Sequence, residues 1–92
     1  MNANFRQSFR ITIQTRYLGP TNSRGSRVVA YTCNGHRLTL SWDDALNADE
    51  NHMAAAKALT DKMEWDGEWV GGASADNKGY VFVNLPKNGT RD

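Results

Sequence analysis

The sequence predicts a single α+β domain, in which one helix packs on one face of an antiparallel sheet of four to five strands. Short runs of alternating apolar and polar residues indicate the strands, one stretch near the middle has helical spacing, and turn residues separate these segments. The predicted order is β-β-β-α-β-β. The 92 residues suit one domain, and residues 1–8 and 86–92 are predicted to be flexible ends.

The first three strands are predicted in the N-terminal half of the chain. The run from Arg10 to Leu18 alternates apolar and polar residues, as half-buried strands do, and a turn-rich loop of residues 19–26 follows it. Asn34-Gly35 lies between two further alternating runs and predicts a hairpin with a two-residue turn. The resulting register pairs Cys33 with His36 and places four apolar side chains on one face: Val29, Tyr31, Leu38 and Leu40.

The helix is predicted from Ala48 to Trp65. Asn47 is a suitable N-cap, and Glu50 three residues later completes the pattern of a capping box. Side chains at helical spacing form one stripe that would face the sheet, namely His52, Ala55, Ala56, Leu59 and Met63.

A second hairpin is predicted after Asp66-Gly67. It consists of a short strand over residues 68–70, a flexible connection over residues 71–79 and a β-prone run from Tyr80 to Leu85. That last strand is a candidate for an unprotected sheet edge, through which two copies of the chain could pair as a homodimer.

The net charge of +1 conceals an asymmetry along the chain. Residues 1–42 contain six Arg and no acidic residue, whereas residues 43–92 contain ten acidic residues against four Lys and one Arg. The two halves therefore carry +6 and −5. This segregation predicts two surfaces of opposite potential, or one surface that pairs with the other.

Residues suited to catalysis or metal binding are few. Cys33 and His36 form half a metal site or a thiolate–imidazole pair in one interpretation, and merely border the hairpin in the other. The only other histidine, His52, lies on the helix stripe, where packing in the core is the favoured interpretation. Asp43-Asp44 suits a cation or acid–base chemistry, but turn formation is favoured. We therefore expect no enzyme activity, catalytic residue, metal or cofactor.

Seven residues are candidates for contact with a partner. Guanidinium groups bind phosphates and carboxylates with paired hydrogen bonds, which favours the arginines that bracket the loop of residues 19–26. The acidic start of the helix is an alternative contact surface. Two tryptophans are candidates for interface anchors or, equally, for core residues. The candidates are Arg16, Arg24, Arg27, Asp49, Glu50, Trp65 and Trp69.

Two segments resemble proteins of phages and mobile elements. The run Ala54–Ala58 with Met63-Glu64-Trp65 and the closing hairpin resembles small phage anti-CRISPR proteins of the type I-F inhibitor group, and the segment from Thr15 to Arg27 is similar to small phage open reading frames. The resemblance implies a non-enzymatic inhibitor of a bacterial CRISPR-Cas effector complex in the host bacterial cytoplasm, and it supplies no site residue.

An alternative function is a small nucleic-acid-binding regulator that uses the Arg-rich hairpin loop. The net charge of +1 is low for such a protein, which makes it the second choice. No membrane partner is expected, because no apolar run approaches the roughly 18 residues of a membrane span.

Overall fold

The computed structural model describes residues 11–85, which form a five-stranded antiparallel sheet and one α-helix. The predicted class and order of elements are confirmed, and the sheet order is β3-β2-β1-β5-β4. The predicted flexible ends, residues 1–8 and 86–92, lie outside the described residues. The elements are β1 (Thr12–Leu18), β2 (Arg27–Tyr31), β3 (Arg37–Ser41), α1 (Ala48–Met63), β4 (Glu68–Ala73) and β5 (Gly79–Leu85).

The helix begins as its capping residues predict and ends slightly earlier than predicted. The side chain of Asn47 accepts a hydrogen bond from the Glu50 N–H, and the Glu50 carboxylate accepts one from the Asn47 N–H, at 2.8 and 2.9 Å. The helix ends at Met63 because Glu64 adopts a left-handed conformation with a φ of 59°. The predicted stripe is confirmed: His52, Ala55, Ala56 and Leu59 are buried, and Met63 is partly buried against the core.

The hairpin between β2 and β3 has a three-residue loop, so the predicted register is wrong by one residue. Thr32, rather than Cys33, is hydrogen-bonded to His36, and among Cys33, Asn34 and Gly35 only Gly35 has a positive φ, of 98°. A shift of one residue exchanges the two faces of a strand. The face that meets the helix therefore carries Val28, Ala30, Leu38 and Leu40, whereas Val29 and Tyr31 lie on the opposite face.

The second hairpin also differs from its prediction. The strand that begins at Glu68 continues through Gly71 and Gly72 to Ala73, so most of the predicted flexible connection is part of the sheet or of a tight turn. The following strand, β5, lies between β1 and β4. The edges of the sheet are β3 and β4, and the prediction of an edge at Tyr80–Leu85 is wrong.

The core lies between α1 and the sheet, with buried residues from β1, β2 and β5 and partly buried residues from β3. Ala55 and Ala56 allow the helix to approach the sheet closely, and Leu59 and Ile13 are fully buried between the layers. Burial of one such side chain contributes about 1.5–3 kcal/mol to the free energy of unfolding. Within residues 11–85 the backbone of α1 lies close to β1, β2 and β3 and farther from β5 and β4. At the β4–β5 end of the sheet, the side chains of Phe82 and Trp69 extend to the core instead.

Candidate partner-binding surfaces

Three arginines lie on the face of the sheet that α1 does not cover. Arg16, Arg27 and Arg37 belong to the adjacent strands β1, β2 and β3, and Tyr31 is half-buried on the same face. The one-residue error in register hid this relationship, because it placed Tyr31, and with it Arg27, on the same face as Leu38 and Leu40. The N-terminal excess of positive charge is thus partly collected on one surface.

Arg16 also links β1 to the turn between β4 and β5. Its guanidinium group lies 3.5 Å from the carboxylate of Asp76, and both side chains are about half exposed. Hydrogen bonds from the Ser74 hydroxyl and the Lys78 N–H, assisted by the charge of Arg16, lower the pKa of Asp76. Because the pair is exposed, its contribution to stability is small.

The first part of the loop of residues 19–26 is closed by hydrogen bonds within the loop, and its last residue, Ser26, is hydrogen-bonded to Tyr17 and Trp42. The Thr21 N–H donates to the Arg24 carbonyl at 2.7 Å, and the Arg24 N–H donates to the Thr21 hydroxyl at 3.1 Å. At the other end, the Ser26 hydroxyl is 2.9 Å from the Tyr17 hydroxyl, and the Ser26 carbonyl accepts from the Trp42 N–H at 2.9 Å. The loop therefore presents the exposed Arg24 from a fixed backbone.

A groove of about 620 Å³ lies beside this loop. Arg24 and Arg27 line it together, with the ring of Trp42 on one side and Asp44 as the acidic member of its lining. The Arg27 Nε–H donates to the Gly25 carbonyl at 3.2 Å, which orients this guanidinium along the loop. The structure thus brings two of the three predicted arginines to one groove, while Arg16 shares the sheet face with Arg27 but does not line the groove.

Asp49 and Glu50 have intramolecular partners at the start of α1. Glu50 belongs to the capping box, and Asp49 accepts a hydrogen bond from the hydroxyl of Tyr80 on β5. This hydrogen bond, with smaller effects of burial and of the Asp49 charge, raises the pKa of Tyr80. Asp49 and Glu50, both predicted contact residues, therefore have structural roles. The spacing of the sequence indicates such a role for Glu50 but not for Asp49.

Trp65 and Trp69 stack on each other at the opposite end of the helix. Their ring centroids are 6.3 Å apart with an interplanar angle of 25°, and both side chains are half-buried. They line a cavity of about 480 Å³ between α1 and the β4–β5 end of the sheet, over Ile13 and Phe82. The rings therefore pack against the core and also line an open groove, and their role as interface anchors stays a prediction.

A buried polar cluster joins the sheet to the helix. The Thr15 Oγ1 atom and the His52 Nδ1 atom are 2.7 Å apart, and the imidazole packs against the rings of Trp42 and Tyr80. Burial lowers the pKa of His52, although the nearby charge of Asp49 partly opposes this effect. The favoured interpretation of His52 as a packed core histidine is confirmed, but its partner Thr15 could not be identified from sequence spacing.

The residues considered for catalysis do not converge. Cys33 is exposed in its loop, and His36 instead packs edge-to-face on Trp65, with ring centroids 5.6 Å apart. The Asp43 carboxylate accepts a hydrogen bond from the Ala45 N–H at 2.9 Å, which is the predicted turn. Within residues 11–85, no group of three or more His, Cys, Asp or Glu side chains is arranged to hold a metal ion.

Comparisons of the chain with protein-family models, with curated proteins and with solved structures find no match. In the part of the chain that the structure describes, α1 is too short and too polar to cross a membrane, and there is no other helix. The assignment of a function therefore depends on the surfaces described above and on the sequence resemblance.

Proposed function

We propose that this chain is a non-enzymatic binding protein that inhibits a bacterial CRISPR-Cas effector complex by stoichiometric contact in the host bacterial cytoplasm. The observation that carries the proposed binding role is the fixed loop that presents Arg24 beside a groove shared with Arg27 and Trp42. The choice of target rests on the resemblance of two sequence segments to phage proteins, including anti-CRISPR proteins.

A fixed loop supports this role because binding then requires little ordering of the backbone. Immobilising a flexible segment costs free energy that reduces affinity, and the hydrogen bonds of Thr21 and Ser26 limit that cost in advance. Arginine and tryptophan are also enriched among the residues that contribute most to protein interfaces. Contact at this surface would block either a protein surface of the effector or the access of nucleic acid to it.

Charge reversal at the loop tests this proposal. We expect the double variant Arg24→Glu and Arg27→Glu to keep the fold and to lose at least tenfold in binding to the effector, measured by pull-down and by a plasmid-interference assay. A matched double variant, Lys62→Glu with Lys78→Glu, removes two exposed cations elsewhere and should retain inhibition. Full inhibition by the loop variant would exclude the loop as the contact, and the absence of inhibition by the unmodified chain would exclude the target.

The second candidate function is a small nucleic-acid-binding regulator. It is favoured by the composition of the same groove, which offers two guanidinium groups, the hydroxyl side chains of Ser26, Thr39 and Ser41, and an indole ring.

Fluorescence anisotropy with single- and double-stranded oligonucleotides tests this second candidate function. Two phosphate contacts predict a slope of log affinity against log salt of about −1.4 to −1.8. No binding at low salt would remove this candidate.

A further inference from the structure

We propose that a groove lined by Trp65, Trp69 and Phe82, here called the tryptophan groove, binds an extended, positively charged segment of a partner protein. An Arg or Lys side chain of that segment would lie against the indole rings. This inference concerns the opposite end of the molecule from the arginine loop, and it does not depend on the proposed CRISPR target.

The shape of the tryptophan groove suits an extended segment. Ile13, Ala56 and Phe82, which are buried core residues, lie at its apolar floor beside α1. A second cavity of about 320 Å³ continues past the same two tryptophans toward Ile11 and Asn84. Because the two cavities share Trp65 and Trp69, an extended segment that passes these rings would contact both cavities.

The charge of the residues that line the tryptophan groove favours a positively charged ligand. Asp61, Glu64 and Asp66 line the two cavities, and Lys57 is the only cation that lines them among the described residues. The Lys57 ammonium is 3.3 Å from the Asp61 carboxylate, so these two charges partly compensate each other, and Glu64 and Asp66 give the lining its net negative charge. The acidic lining repels a phosphate backbone and attracts a cation. Indole faces are also the strongest aromatic partners for a guanidinium or ammonium group.

The Nε1 atom of Trp69 is enclosed by the protein itself and is not open to the groove. This nitrogen is buried, and within residues 11–85 it has no hydrogen-bond acceptor. A buried donor without an acceptor is uncommon, because leaving it unpaired costs free energy. The choice of ligand therefore rests on the shape of the groove and on the charge of its lining.

An NMR titration of the full-length ¹⁵N-labelled chain tests this inference. The probe is the capped peptide Gly-Arg-Gly-Arg-Gly, and the signals followed are the three indole N–H groups. We expect the signals of Trp65 and Trp69 to shift while that of Trp42, which packs against Tyr17 and His52 instead, stays in place. The matched peptide Gly-Glu-Gly-Glu-Gly should cause no shift.

A charge-neutralising variant completes the test without disturbing the core. Asp66→Asn should weaken binding of the arginine peptide about two- to fivefold, as expected for one exposed charge beside an aromatic cation site. Asp44→Asn removes the same charge beside the arginine loop and should leave the affinity unchanged. The inference fails if the Trp69 signal does not move at millimolar arginine peptide, or if the glutamate peptide binds equally well. It also fails if Asp66→Asn has no effect, or if a single-stranded oligonucleotide shifts the same signals.

Discussion

The hydroxyl of Thr15 and the Nδ1 atom of His52 are joined by a buried hydrogen bond of 2.7 Å, which connects the central strand to the helix. Thr15→Val keeps the shape of the side chain but leaves the imidazole nitrogen without its partner. We expect the variant to lose about 1–3 kcal/mol in the free energy of unfolding, measured in urea. Thr12→Val, on the exposed face of the same strand, should change it by less than about 0.5 kcal/mol.

The burial of His52 predicts a loss of stability in mild acid. Its pKa in the folded chain lies below the ordinary value of 6.5, so the unfolded chain takes up a proton first as the pH falls below 6.5. The free energy of unfolding should therefore decrease below pH 6.5 until the pH passes the folded pKa. The negative charge of Asp49 limits the decrease in the free energy of unfolding, because it favours the protonated imidazole. The rings that pack on the imidazole, those of Trp42 and Tyr80, stay uncharged in this pH range.

Urea unfolding at pH 7.5 and pH 5.5 measures this dependence. His52→Gln should abolish most of the difference between the free energies of unfolding at the two pH values. His36→Gln, which removes the other imidazole, should retain that difference. A free energy of unfolding that rises from pH 7.5 to pH 5.5 would contradict the assignment.

Two neighbouring glycines on β4 should respond differently to substitution by alanine. A Cβ atom at Gly71 would collide with the ring of Phe82, whereas one at Gly72 would meet no other atom within 4 Å. We expect Gly71→Ala to destabilise the fold by about 1–3 kcal/mol because the ring must move. Gly72→Ala should be tolerated. Thermal unfolding of the two variants provides the comparison, and equal midpoints would contradict the close packing of this ring.

Variants at Glu50 separate its structural role from a role in binding. Glu50→Gln removes the charge but keeps an oxygen that can accept from the Asn47 N–H, so stability should be nearly unchanged. Glu50→Ala loses the reciprocal bond and should cost about 0.5–1 kcal/mol. If Glu50→Gln weakens effector binding while its unfolding curve is unchanged, Glu50 is a contact residue. If binding is also unchanged, only the capping role remains.

The edge strand β4 predicts pairing of two copies of the chain. Val70, Val83 and Leu85 are exposed on the uncovered face next to this edge, and Glu68 is the only charged residue of the strand. We expect concentration-dependent dimers in sedimentation velocity and their loss in Val70→Lys. Thr39→Lys places the same charge at the other edge, on β3, and should leave the dimers intact. A chain that stays monomeric at every concentration would contradict the prediction.

Local patterns were sufficient for most of the elements. The Asn47–Glu50 spacing located the start of the helix, and the periodicity from His52 to Met63 identified its buried stripe. Alternation identified β1, and the run from Tyr80 identified β5. These features depend on residues a few positions apart, whose interactions are formed within one element. The Asp43 turn could be predicted for the same reason.

The positions of candidate binding residues were predictable only in part. The composition of residues 19–27 indicated an arginine-bearing loop, but the hydrogen bonds that hold it involve Tyr17 and Trp42. Trp65 and Trp69 could not be assigned to core or surface, because the outcome depends on where the helix crosses the sheet. The proximity of Arg37 to Arg27 and Tyr31 was missed because the predicted register placed Arg37 on the opposite face from them.

The sequence by itself determined the class of the fold, the order of its elements and the cap of its helix, because these depend on spacing along one segment. Only the tertiary structure decided the β2–β3 register, the interior position of β5, and the pairing of Thr15 with His52 across 37 positions. The reason is physical: a loop longer by one residue exchanges the faces of a strand, and the packing of distant segments decides which polar groups are buried together.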